Sequence, residues 1–170
     1  LKGVPLTLEV VFISTILGFG LAIIVALMRI SDNKLYSVPA YSFIYLIRGT
    51  PLLLQLYFVY YGISQFSFVR ESFLWPILRE PFWCGIITLT ISTGAYSAEI
   101  IRGGIQSVSQ GYIESGKALG LGRISLFFRI VMPITIRQAL PAYGNELILM
   151  VKASSLISIV TLMEITGIAR

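Results

Sequence analysis

Residues 111–133, GYIESGKALGLGRISLFFRIVMP, form a polar, glycine-broken stretch set between apolar runs long enough to cross a bilayer. The spacing predicts a short helix ending at Gly120 or Gly122, where a residue without Cβ can take positive φ, and a second helix from Arg123. Such a hairpin exposes one turn. The residues alone leave it two placements, seated on a soluble partner or lying amphipathically on the lipid surface.

Working outward, the flanks are those of a multispanning helical membrane protein. The chain is 56% hydrophobic and 12% charged, with a mean hydropathy of +0.85. A soluble domain of this size would have to expose large apolar patches to accommodate that composition. Histidine is absent and Cys84 is the single cysteine, which excludes disulfide frameworks, Cys/His metal sites and histidine-based triads. The net charge of +5 does not point to nucleic acid, because in a membrane protein the informative quantity is where Lys and Arg fall.

A hydrocarbon core of about 30 Å needs about 20 helical residues, so the apolar runs can be counted as spans. They are predicted at about 6–28, 35–63, 82–101 and 136–151 of one all-α domain, residues 1–170, with a loop at about 102–135. The second run is too long for one straight helix, and Arg48-Gly49-Thr50-Pro51 is expected to break it. Arg102, Lys117, Arg123, Arg129 and Arg137 face one acid, Glu114, so the positive-inside rule places this loop in the cytoplasm. Counting crossings from an outside start gives the same side. The run after Lys152, broken by Glu164 and Gly167, is expected to be a separate half-membrane or interfacial segment.

Glu146 is the candidate with the clearest physical claim, since a carboxylate inside a span costs roughly 3 kcal/mol on insertion scales. Its partner is either a cationic ligand or a structural cation, Lys152, Arg48 or an arginine of a second subunit. Tyr143 shares its helix face at i,i+3, whereas Asn145 points about 100° away. Ser154 and Ser155, expected beyond a helix end at Lys152, add hydroxyls to the same cavity. Glu99 either pairs locally with Arg102, the favoured reading, or contacts substrate, and Arg48 is either a gate or, as favoured, an anchor reaching the carbonyls of the broken helix. No cofactor is expected.

At Glu114-Ser115-Gly116, Gly120 and Met132-Pro133 the chain resembles the permease subunits of bacterial ABC importers, whose loop reads E-A-A, three residues, G, and later L-P. Ser115 and Gly116 replace two alanines, Met132 replaces leucine, and Gly116 should loosen the helix by about 1 kcal/mol. Gly111 to Lys117 also spells most of a P-loop, but Ala118 stands where Ser or Thr would hold Mg²⁺. The blocks 31–34, 48–52, 95–100 and 139–146 are similar to the polar amino-acid branch. Within it, Tyr143-Gly144-Asn145-Glu146 looks like the histidine/lysine/arginine/ornithine and opine type.

The resemblance implies a non-enzymatic transport subunit of the bacterial cytoplasmic (inner) membrane, moving a cationic amino acid or an opine by alternating access. It implies a coupling role for Glu114, Lys117, Ala118, Leu119 and Gly120 against ABC ATPase subunits. It also implies a second permease chain, an external substrate-binding protein, and a further helix beyond Arg170. In the family pattern K-D-T-S-L, Ala153-Ser154 here replaces Asp-Thr, removing an acid. The alternative is an ion-gradient transporter or channel using Glu146; a membrane enzyme is weakest, for want of histidine and clustered acids.

Overall fold

Glycine and alanine decide how closely the apolar helices approach one another, and a proline decides where one of them bends. A computed structural model describes the backbone of residues 3–73 and 75–168 and the side chains of residues 8–73 and 75–154. Helix α1 (Gly3–Ile30) is followed by α2 (Lys34–Gly49) and α3 (Leu52–Tyr57), which runs on through a π turn, Phe58–Gly62, and a 3-10 turn, Ile63–Gln65. Two single-turn helices, α4 (Ser67–Arg70) and α5 (Trp75–Leu78), lead to α6 (Pro81–Gln106). Then come α7 (Gln110–Ala118), α8 (Arg123–Leu126), a π turn at Phe127–Val131 and α9 (Met132–Ile168). The described residues contain no strand.

Helix α6 is the hub, packed along α1 on one side and α9 on another, with α2 closing over both α1 and α6. A Cβ at Gly18 would stand 2.9 Å from Thr93 Cβ, and one at Gly94 2.6 Å from Leu21 Cδ2. These are the small-residue contacts by which helices associate in lipid, where burying apolar surface gives little drive. Ser14 donates to the Ile86 carbonyl (3.4 Å) near one end, and Ala22 and Ala26 cluster with Ala98 nearer the other, so α1 and α6 run parallel. Helix α9 runs antiparallel to them: Gly104 abuts Thr135, while Met150 Sδ accepts from Thr15 (3.3 Å) and Thr93 (3.4 Å). The C-terminal ends of α1 and α6 and the start of α9 thus share one end of the bundle, which carries α7.

Among the described residues Leu8–Ile30, Pro81–Gln106 and Arg123–Ser154 are long and apolar enough to cross a membrane, and α2 with Leu52–Gln65, bent by 105°, passes the same test only as a pair, as a broken span or a re-entrant loop. The bend lies where expected, with Thr50 and Pro51 both extended. What holds it differs from expectation. Gln55 Nε2 donates to the carbonyls of Ile47 (2.7 Å) and Thr50 (3.0 Å), and Thr50 Oγ1 donates to Leu46 O (2.9 Å). The carbonyls freed by the break are therefore taken by Gln55 and Thr50, and Arg48 is left for other contacts.

Two boundaries also move. The last crossing begins at Arg123, because the π turn carries the helix unbroken into α9. Nor does the helix stop at Lys152: α9 continues to Ile168, so the segment expected to be separate belongs to the same helix. Ser154 Oγ donates to Val151 O (2.7 Å), which satisfies the hydroxyl without ending the helix.

Gly94→Val should overpack the α1–α6 contact by about 1–3 kcal/mol and lower the Tm of the purified protein in detergent. Gly20→Val, with open space around it, should leave Tm unchanged; equal Tm for both would remove the close-contact account. Gln55→Leu should remove the bonds to the Ile47 and Thr50 carbonyls, leaving Ile47 O with the longer bond from Thr50 Oγ1 (3.3 Å), and cost about 1 kcal/mol. The check is faster hydrogen exchange confined to residues 47–56.

Candidate transport site and coupling hairpin

Helix α9 turns Glu146, Met150 and Ala153 toward α6 because these positions recur at helical spacing. Glu146 is 9% exposed. It lines a cleft of about 180 Å³ with Ser92, Thr93 and Tyr96 of α6 and Leu52 after the break. Among the described residues no hydrogen bond or ion pair reaches its carboxylate, although the charge of Arg48 acts on it through space. An acid placed so, beside two hydroxyls and a phenol ring, can receive a cation and a few polar groups.

The other expected site residues do not all converge there. Tyr143 is partly buried but turns its ring edge-on to Phe19 of α1, at 5.5 Å between centroids. Asn145 is exposed on the far face of α9, as its angular separation from Glu146 requires. Ser154 is buried and bonded to its own helix, and Ala153 lines the cleft in its place. The side chain of Ser155 lies outside the described residues.

Reading along the chain missed Ser92 and Tyr96. Their signal is an i,i+4 polar pair on an apolar helix, the face that α6 shows to Glu146.

Beyond Tyr96 lies a second, larger cleft of about 360 Å³, lined by Arg29, Tyr41, Tyr45, Arg48, Tyr96 and Glu99 among others. The guanidinium of Arg48 sits over the Tyr96 ring at 5.1 Å and that of Arg29 over Tyr41 at 4.9 Å, both cation–π contacts. Arg48 thus stacks on an aromatic face and does not serve the broken helix. Glu99 pairs with Arg102 as expected, through Nη2 and through Nε at 2.9 Å.

The hairpin at the end of the bundle is built as its glycines demand. Ser109 caps α7, accepting from Gly111 N at 3.3 Å. Gly120 has φ +78, Gly120 N donates to Lys117 O (2.9 Å) and Leu121 N to Gly116 O (3.1 Å), the Schellman pattern. Residues 111–117 are therefore helical, which removes the phosphate-cradling loop that their spelling suggests. Gly116 is buried, and a Cβ there would meet Ile130 Cδ1 at 2.8 Å and Leu126 Cδ1 at 3.2 Å. Glycine at this place lets α7 lie against the helix that follows.

Outward from that contact, Glu114, Lys117, Ala118 and Gly120 are exposed, and Leu119 is 82% exposed at the tip. Tyr112 and Ile124 flank it as further exposed apolar side chains.

Residues 18–169 match the family of binding-protein-dependent transport system inner membrane components. The chain is 54% identical, over 99% of its length and 69% of the relative's, to the octopine transport system permease protein OccM of Rhizobium radiobacter. It is 38% identical, over 99% of its length and 71% of the relative's, to the histidine/lysine/arginine/ornithine transport system permease protein HisM of Escherichia coli K12. A crystal structure of an amino acid ABC transporter with histidines superposes with a TM-score of 0.79 at 36% identity, over 94% of this chain and 74% of that one. With its apolar helices, its polar clefts beside α6 and its glycine-built hairpin, the chain belongs to the binding-protein-dependent transport system inner membrane components and is a permease subunit of that family.

Proposed function

We propose that this permease subunit imports a cationic amino acid or an opine by alternating access, with Glu146 receiving the cationic end of the substrate. The observation that carries the proposal is the carboxylate itself, buried in a span, lining a polar cleft and without a bonded partner among the described residues. A charge so placed is costly unless a cation or water meets it, and a passing guanidinium, imidazolium or ammonium does so. Relatives named for octopine and for histidine, lysine, arginine and ornithine fit that chemistry. Ser92 and Tyr96 supply hydrogen-bonding groups on the opposite wall. Asn145, Tyr143 and Ser154 act, in this reading, through the packing of α9 and not by touching the ligand.

The force comes from elsewhere. Leu119 at the tip, with Ala118 and Gly120, fits a cleft of an ABC ATPase subunit, and exposed Glu114 and Lys117 flank it for charge pairing. Two such ATPases would serve two permease chains, identical or similar, and an external binding protein would deliver the ligand. In this reading the ATPase chemistry belongs to those separate subunits. Positive-inside charge places the hairpin in the cytoplasm, at the bundle end where α1 and α6 finish.

In proteoliposomes holding permease pair, ATPase and binding protein, Glu146→Gln should cut uptake of arginine or octopine by about tenfold or more, the loss of one charge-assisted contact. The complex should still elute intact; unchanged uptake would return Glu146 to a structural role. Uptake that persists on an ion gradient without the ATPase would overturn the ATP-driven reading. Leu119→Asp should release the ATPase during co-purification while the permease stays folded. Retention of a fully active ATPase would show that the tip is not the contact.

A further inference from the structure

Among the described residues of α9 the buried side chains are Thr135, Glu146, Met150 and Ser154, and Met150 is the apolar one. It lies one turn past Glu146 on the same face, lines the same cleft, and packs into a cluster with Val10, Ile86 and Leu89. A thioether on three rotatable bonds ordinarily fills space without specifying a position. Here the sulfur meets a fixed donor. Thr93 is β-branched, and its methyl side is pressed to α1: a Cβ at Gly18 would stand 2.9 Å from Thr93 Cβ and 3.0 Å from its Cγ2. The other branch, the hydroxyl, donates to Met150 Sδ at 3.4 Å and has no other acceptor among the described residues. Thr15 also reaches the sulfur, at 3.3 Å, but its one proton has the Val11 carbonyl at 2.7 Å as the nearer acceptor. Thr93 is therefore the donor that locates Met150.

We infer that Met150 is a positioning residue of the transport site: its sulfur, held by the Thr93 hydroxyl, sets the rotation of α9 about its own axis and so the direction of the Glu146 carboxylate. This rests on the reading of Glu146 as the cation site. Among the described residues no ion pair ties the carboxylate down, so its place in the cleft is only as well defined as the helix that carries it. At a side-chain radius of about 5–6 Å, a rotation of about 20° moves the carboxylate by about 2 Å. A shift of that size breaks a hydrogen bond to a ligand. The neighbours on α9 do not oppose such a rotation, since Ala153 is small and Ser154 bonds to its own helix. Methionine suits the place because its sulfur is a weak, uncharged acceptor, which takes the hydroxyl proton without competing with Glu146 for a cation. A leucine of similar volume would fill the same space and leave the rotation unfixed.

Uptake of radiolabelled arginine by proteoliposomes holding the permease pair, ATPase and binding protein tests this. Met150→Leu should raise KM by about threefold to tenfold while maximal uptake and ATPase rate stay within about twofold. Thr93→Val should do the same, and the double variant should do no more than either alone, because both remove one bond. In a Glu146→Gln background Met150→Leu should add nothing; an undiminished effect there would make Met150 a ligand contact in its own right and overturn the positioning role. So would a Met150→Leu complex with a lower Tm in detergent and an unchanged KM, the signature of a purely structural residue. The direction of position 146 can also be read without substrate. In a Cys84→Ser background, labelling of Glu146→Cys by a water-soluble methanethiosulfonate should change in rate by about threefold or more when Met150→Leu is added. An unchanged rate would overturn the proposal. Should the rate change while Glu146→Gln alone leaves the KM for arginine unaltered, the cation-site reading fails and the positioning of α9 by Met150 stands.

Discussion

The near-contact of α1 with α6 is the constraint on which the remaining arrangement depends. In hydrocarbon the separation of two helices is set by the size of the residues between them, and here Gly18 and Gly94 bring the backbones together. With α1 held on one flank, α6 keeps a polar face free. Ser92, Thr93 and Tyr96 line the smaller cleft from that face, and Glu99 follows one turn later at the larger one. Helix α9 then brings Glu146 to this prepared wall, and Met150 seals the inner side against Thr15 and Thr93.

Electrostatics in the bundle are segregated. Glu99 is satisfied within its own helix by Arg102, and among the described residues Glu146 in the smaller cleft and Arg29 and Arg48 in the larger one have no ion-pair partner. Tyr96 lies between them, with one face against a guanidinium. A bonded Glu146–Arg48 pair would cancel both charges and leave nothing to select a ligand. The break at Thr50-Pro51 fixes where α2 ends, and Gln55 bonds the carbonyls on its near side.

Much of this was legible in the sequence, and the failures have physical causes. The hairpin could be read because glycine positions and helix ends obey strict backbone geometry, and Gly120 has the positive φ that its place required. The break could be read because proline acts on its predecessor whatever the tertiary setting. Arg48 could not be placed, since a long side chain has several partners within reach and the competing clamp, Gln55, looks like an ordinary polar residue in an apolar run. The helix end expected at Lys152 was wrong because charge and two serines mimic a terminus, while a back-bonded Ser154 is compatible with helix. Asn145 shows the limit of motif reading: next to Glu146 in sequence, it lies exposed about 100° round α9, whereas Tyr143 shares the acid's side of the helix but sets its ring edge-on to Phe19.

The buried Gly116 contact has a mechanical corollary. Because α7 lies flush on Leu126 and Ile130, a push on the tip arrives as torque on the helical rod that starts at Arg123. Glu146 sits 23 residues beyond Arg123, roughly 35 Å along that rod at about 1.5 Å per residue, so a tilt of about 5° about its start sweeps the carboxylate sideways by about 3 Å. That travel is comparable to the reach of a hydrogen bond. Bulk added at Gly116 would act as slack in the linkage.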